Sequence, residues 1–165
     1  MAAFWLRLIT RWSARSGRGL RCLALAALAA CGDNQDPEGA RALWERIQEL
    51  DYRSWERAPG YASRRASDAP HSDAVEIFVN DVVSEVLSAG RSEPGWPVGS
   101  LIVKDGWSDD ELELVAVMEK RSQGWYWAEY DAKGSADYSG APSICLDCHR
   151  SGDDFVRAFV LPNGE

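Results

Sequence analysis

An α+β fold, predominantly antiparallel β-sheet with helices added, is what the sequence predicts for the 135 residues from Cys31 onward. Three observations lead to it. A helix start followed by an apolar stripe at helical spacing stands near residue 37. Three strand-like runs succeed one another between residues 100 and 131, and the links between them are short and carry turn residues. This length is enough for one domain with one core.

Asp36-Pro37-Glu38 reads as the helix start. Asp36 can accept from the free N–H groups of the first turn, Pro37 has no N–H to leave unpaired, and Glu38 faces the positive helix end. Leu43, Trp44, Ile47 and Leu50 then share one face. Residues 52–73, rich in Arg, Ser, Ala, Gly and Pro without a period, read as loop. Residues 74–80 (AVEIFVN) have strand composition and precede a short helix over 81–87. A Gly/Pro-rich loop, 89–99, leads to strands over 100–104, 111–120 and 125–131. Asp105-Gly106 and Arg121-Ser122-Gln123-Gly124 read as the turns between them, which predicts an antiparallel meander. In the middle strand Leu112, Leu114, Ala116 and Met118 share one face, expected to be the core face, and Glu113, Val115, Val117 and Glu119 share the other. Residues 131–143 read as a small-residue loop, and 154–161 as a short apolar element at the end.

Residues 1–30 hold five arginines, no acidic residue, and a nine-residue apolar run over 22–30. That is the layout of a secretory signal, and the run is too short to span a bilayer. Leu28-Ala29-Ala30-Cys31-Gly32 resembles the lipobox of bacterial lipoproteins, which makes Cys31 the expected lipidation site; the alternative is an ordinary cleavage site with an incidental cysteine. The expectation is an exported protein, lipid-anchored on the periplasmic side of the envelope, with the outer membrane as default. The organisation expected is a lipoprotein signal over 1–30, a tether with helix and loop over 31–73, and a chemistry-bearing domain over 74–165. The whole chain carries a net charge of −8; loss of the signal leaves 13 basic residues against 26 acids, a net of −13. Nucleic acid is therefore excluded as a partner. An acidic surface keeps the domain soluble beside a membrane, or suits a basic, soluble redox partner.

With Cys22 in the signal and Cys31 at its end, Cys145 and Cys148 are left for chemistry. Cys145-Leu146-Asp147-Cys148-His149 has the spacing of c-type haem attachment. On a helical turn, residues three and four apart share a face, so both thiols can reach the edge of one porphyrin while the histidine comes under its iron. Two other readings stand beside it. A structural zinc site would need four ligands, and the chain offers one further histidine, His71. A disulfide or redox pair is permitted outside the cytoplasm but leaves His149 without a role.

Several short segments carry a wider likeness: Pro97-Val98-Gly99-Ser100-Leu101-Ile102-Val103-Lys104, Met118-Glu119-Lys120-Arg121, Gly124-Trp125-Tyr126-Trp127, the haem motif, and Asp153-Asp154-Phe155. In this order the chain resembles the cytochrome P-460 family, which includes the cytochromes c′-beta, over residues 74–161. The resemblance implies a mostly antiparallel β fold, commonly a homodimer, around one covalently attached haem c per chain, with His149 as proximal ligand and the sixth position open. It also implies a role for Lys104, which matches the position where the P-460 enzymes cross-link a lysine to the porphyrin edge. Read from the residues alone, Lys104 is either inward-facing with Ile102 or a solvated lysine before a turn.

Other candidates have bland alternatives. His71 could be a distal ligand or make a loop hydrogen bond; Met118 could approach iron or pack in the core; Phe78, Trp125 and Trp127 could line the haem pocket or serve ordinary burial. No carboxylate is placed from sequence in the second sphere of such a site. The functional expectation is a haem protein that binds or oxidises small nitrogen species such as hydroxylamine or nitric oxide, as an oxidoreductase if it turns over. The alternatives are a non-catalytic electron-transfer or gas-binding cytochrome of the c′-beta type, and a haem-free envelope interaction lipoprotein with a Cys145–Cys148 disulfide.

Overall fold

A computed structural model describes residues 33–68, 70–89 and 95–160. The signal expected over residues 1–30 and the lipidation site Cys31 lie outside the described residues. Among the described residues no helix is long and apolar enough to cross a membrane.

Helix α1 (Pro37–Glu49) starts as expected, with the Asp36 carboxylate accepting from the Gly39 N–H at 3.0 Å. Its buried stripe is Ala40, Leu43 and Ile47, while Trp44 is only partly buried. Leu50 is 51% exposed, because the helix ends one residue before it and the chain turns away at Asp51 with φ +46°.

Residues 52–73 are more than a loop. A 3₁₀ turn (Tyr52–Ser54) leads into two-residue strands β1 (Glu56–Arg57) and β2 (Arg65–Ala66), both antiparallel to β3 (Ala74–Val79). Strands this short have no period to read, so composition hid them. Helix α2 (Asp81–Ala89) follows.

Strands β4 (Leu101–Ser108), β5 (Glu111–Arg121), β6 (Gly124–Asp131) and β7 (Ala136–Gly140) complete the sheet. All seven strands pair antiparallel, in the order β1-β3-β4-β5-β6-β7 with β2 also on β3. The predicted meander is present, with two corrections. First, β7 lies inside the stretch read as loop after residue 131. Second, Asp105-Gly106 is not a turn. The strand runs on to a two-residue hairpin turn at Asp109-Asp110, whose φ values of +49° and +66° match the twist of the paired strands. Gly106 sits mid-strand because another backbone crosses it closely: a Cβ there would stand 2.6 Å from Ser72 Oγ and 3.0 Å from the His71 carbonyl oxygen. Asp105 is fully buried, and its carboxylate accepts from the Tyr52 hydroxyl at 2.7 Å and from Arg53 Nε at 2.8 Å. These two charge-assisted bonds tie the segment after α1 to the middle of the sheet.

Both sheet faces are covered. Under α1 lie Phe78, Val103, Val115, Val117, Tyr126 and Tyr130, with the Tyr130 hydroxyl donating to the Ala40 carbonyl at 2.6 Å. On the other face α2, Trp96 and the C-terminal segment cover Ile77, Val79, Ile102, Met118, Trp125 and Trp127. The face of β5 expected to be the core is therefore the less buried one. Val115 and Val117 are sealed at 0% and 1% exposure, whereas Ala116 and Met118 line a cleft. Alternation separates two faces but does not say what covers each.

Candidate functional site

Strand register builds the floor of that cleft. Four antiparallel pairings set Ile77, Lys104, Ala116, Glu129 and Tyr138 in one row across β3 to β7. Lys104 and Glu129 are two strands apart, about 10 Å at ~4.8 Å per step, and only the Ala116 methyl stands between them. The adjacent row, Val79, Ile102, Met118 and Trp127, is apolar.

Helix α3 (Ser143–His149) and the residues after it form the roof. Cys145 and Cys148 are free thiols, the first half-buried and the second exposed. Burial, followed by the nearby Glu129 charge, pushes the Cys145 thiol up to about 11. His149 turns inward, its ring 4.5 Å from that of Trp127, centroid to centroid. Its Nδ1 lies 2.9 Å from the Phe155 carbonyl oxygen. A carbonyl can only accept, so Nδ1 carries the proton and Nε2 keeps the lone pair a metal needs. Burial lowers the His149 pKa to about 4 against the opposing Phe155 bond, with Lys104, His71 and Arg157 adding to the fall. The imidazole is thus neutral at neutral pH, the form that ligates iron.

His71 stands across from His149, ring centroids 6.4 Å apart, and both line each of three hollows that share these two residues in their walls. His71 Nδ1 is 2.9 Å from Glu129 Oε2, at ion-pair distance although poorly aligned for a hydrogen bond. Lys104 is not a solvated lysine before a turn; it lines two of the hollows, and burial lowers its pKa while the Glu129 charge opposes the fall. Among the described residues it makes no hydrogen bond or ion pair. Met118 is packed in the core between Ile102 and Trp127. Of the three aromatic candidates, Trp127 lines the cleft, Trp125 is held by a 2.7 Å bond from its Nε1 to the Asp154 carbonyl, and Phe78 lies on the opposite face under α1.

Glu129 was missed in the sequence. The available signal was its spacing of two from Trp127 along β6, which puts it on the same face. Nothing local marked that face as the cleft.

A model of the family described as Cytochrome P460 matches residues 50–157. The chain belongs to the cytochrome P460 family. Membership implies haem binding, and the match reaches upstream of residue 74 to take in the 3₁₀ turn, β1 and β2. Among curated proteins no significant relative is found. The cleft suits a haem on its own evidence. Its inner walls are Ile77, Ile102, Met118, Trp127 and Val156, apolar side chains that can pack against a porphyrin. The Trp127 Nε1–H is buried without a partner among the described residues, a donor left for a bound group. A neutral imidazole and two thiols stand together on α3, and among the described residues no three His, Cys, Asp or Glu side chains converge to hold a bare metal ion.

Proposed function

We propose that this cytochrome P460 family protein is an exported, lipid-anchored monohaem cytochrome that binds and oxidises small nitrogen species such as hydroxylamine or nitric oxide. Haem c would be held by thioether bonds to Cys145 and Cys148, with the His149 imidazole available to its iron. The observation that carries this reading is the convergence on one apolar-walled cleft of the α3 thiols, a neutral His149, and the polar group His71, Lys104 and Glu129.

When bound, the haem supplies an iron that takes a small ligand and accepts its electrons. The chain's own residues do the rest. Ile102, Met118 and Trp127 give the inner hollow apolar walls, which disfavour water. Oxidising hydroxylamine removes protons as well as electrons; Asp68 and Glu129 are carboxylates lining the hollows, and Glu129, at ion-pair distance from His71, is the one assigned to accept a proton. Lys104, which makes no hydrogen bond or ion pair among the described residues, is the candidate for a covalent link to the porphyrin edge. A soluble partner would take the electrons away. A second reading, nitric oxide binding or electron transfer without turnover, is favoured by the apolar lining of the inner hollow.

The test is mass spectrometry of haem-bearing peptides from protein matured in a host competent for c-type attachment, followed by hydroxylamine turnover. Haem joining the Cys145/Cys148 peptide to the Lys104 peptide, with turnover lost in Glu129→Gln at an unchanged haem spectrum, is the expected result. Haem on the cysteine peptide alone and no turnover would favour the carrier. Absence of haem from every peptide would overturn the proposal and leave the disulfide-bearing lipoprotein.

A further inference from the structure

Two segments that marked the family in the sequence, Met118-Glu119-Lys120-Arg121 and Asp153-Asp154-Phe155, meet in the fold. Lys120 Nζ donates to both carboxylate oxygens of Asp154, at 3.0 and 2.7 Å. The same carboxylate accepts from the Trp96 N–H at 2.8 Å, and the Asp154 carbonyl accepts from Trp125 Nε1 at 2.7 Å. One residue is therefore gripped from β5, from β6 and from the loop before β4.

The grip has something to hold. Asp154 and Phe155 both have left-handed backbones, φ +45° and +67°, as the central pair of a tight turn closed by the Asp153–Val156 backbone bonds at 2.9 and 3.1 Å; the bulky Phe155 is disfavoured in that conformation, so the side-chain grip on Asp154 adds to what the turn's own bonds hold. Its consequence is that the Phe155 carbonyl meets His149 Nδ1 at 2.9 Å.

We propose that Asp154, held by Lys120, is a positioning residue for His149. The clamp keeps the Phe155 carbonyl on the Nδ1 proton, which fixes the ring orientation and the tautomer and raises the basicity of Nε2 as a ligand. A more basic imidazole favours ferric over ferrous iron. Neither residue touches the cleft itself; both act through the 154–155 backbone. The inference rests on the reading of His149 as the axial ligand.

The experiment uses the haem-loaded protein and its Lys120→Met, Lys120→Arg and Asp154→Asn variants. The readouts are the midpoint potential and the ferrous iron–histidine stretching frequency, neither of which a loss of stability alone would move. Lys120→Met and Asp154→Asn are expected to shift the ferric/ferrous equilibrium about tenfold towards ferrous, which is about 59 mV upward for one electron. The stretching frequency should fall with it, while Lys120→Arg, which retains the charge, should match the parent. If Asp154→Asn does not accumulate, Lys120→Met carries the test with the 154–155 backbone sequence intact. Loaded variants with the parent's potential and frequency would overturn the inference. A parent whose haem lacks His149 as ligand would instead overturn the site assignment, and the inference with it.

Discussion

Gly106→Ala isolates the close crossing that seats His71. At an ordinary strand position the change would stabilise, because alanine narrows the unfolded ensemble by about 0.4–1 kcal/mol. Here the added Cβ would lie 2.6 Å from Ser72 Oγ, 2.9 Å from Leu114 Cγ and 3.0 Å from the His71 carbonyl oxygen. The serine hydroxyl can rotate away. The carbonyl cannot, and must retreat by about 0.5 Å to reach an ordinary contact near 3.5 Å. Overpacking of this kind costs about 1–3 kcal/mol, so the net change is a loss of about 1–2 kcal/mol. For a domain of this size that lowers Tm by about 4–8 °C. Moving the His71 backbone also opens its 2.9 Å contact with Glu129, so ligand affinity of the haem-loaded protein should fall alongside. Differential scanning calorimetry and a ligand titration of parent and variant measure both. A variant as stable as the parent or more so, with unchanged affinity, would refute the close-crossing argument.

Tyr52→Phe removes one of two donors to the buried Asp105 carboxylate and should cost about 1.5–3 kcal/mol in urea unfolding; a double-mutant cycle with Asp105→Asn should be strongly non-additive. Tyr52 and Tyr130 have pKa values raised well above 10, chiefly by burial and then by the charges of Asp105 and Tyr126 respectively. Above pH 10 the unfolded tyrosines release protons that the folded ones keep, so the stability present below pH 10 is lost as pH rises, at about 1.4 kcal/mol per pH unit for each. Denaturation at pH 9, 10 and 11 should show this slope, shallower in Tyr130→Phe. In protein made without haem attachment, a thiol-alkylating reagent should modify exposed Cys148 well before half-buried Cys145, whose thiol sits at about 11; equal rates by peptide mass spectrometry would contradict the placement of α3.

What was legible in the sequence is what neighbouring residues decide among themselves. The α1 start needs only Asp36, Pro37 and Glu38, and the Cys145–His149 spacing puts two thiols and an imidazole on one helical turn whatever surrounds them. Alternation in β5 and β6 likewise sorts residues into two faces. The rest depends on groups far apart in the chain. That Ala116 rather than Val115 faces the cleft follows from α1 settling on the opposite side. That Glu129 shares a row with Lys104 follows from the register of two hairpins. Gly106 looked like a turn because glycine serves turns and close crossings alike, and only the passage of residues 71–72 over β4 distinguishes them. The tautomer of His149 is set by a carbonyl whose own direction depends on a lysine 34 residues upstream of the aspartate it holds. Local sequence carries dihedral preference and periodicity, both short-ranged. Which distant groups meet is settled by the packing of the whole chain.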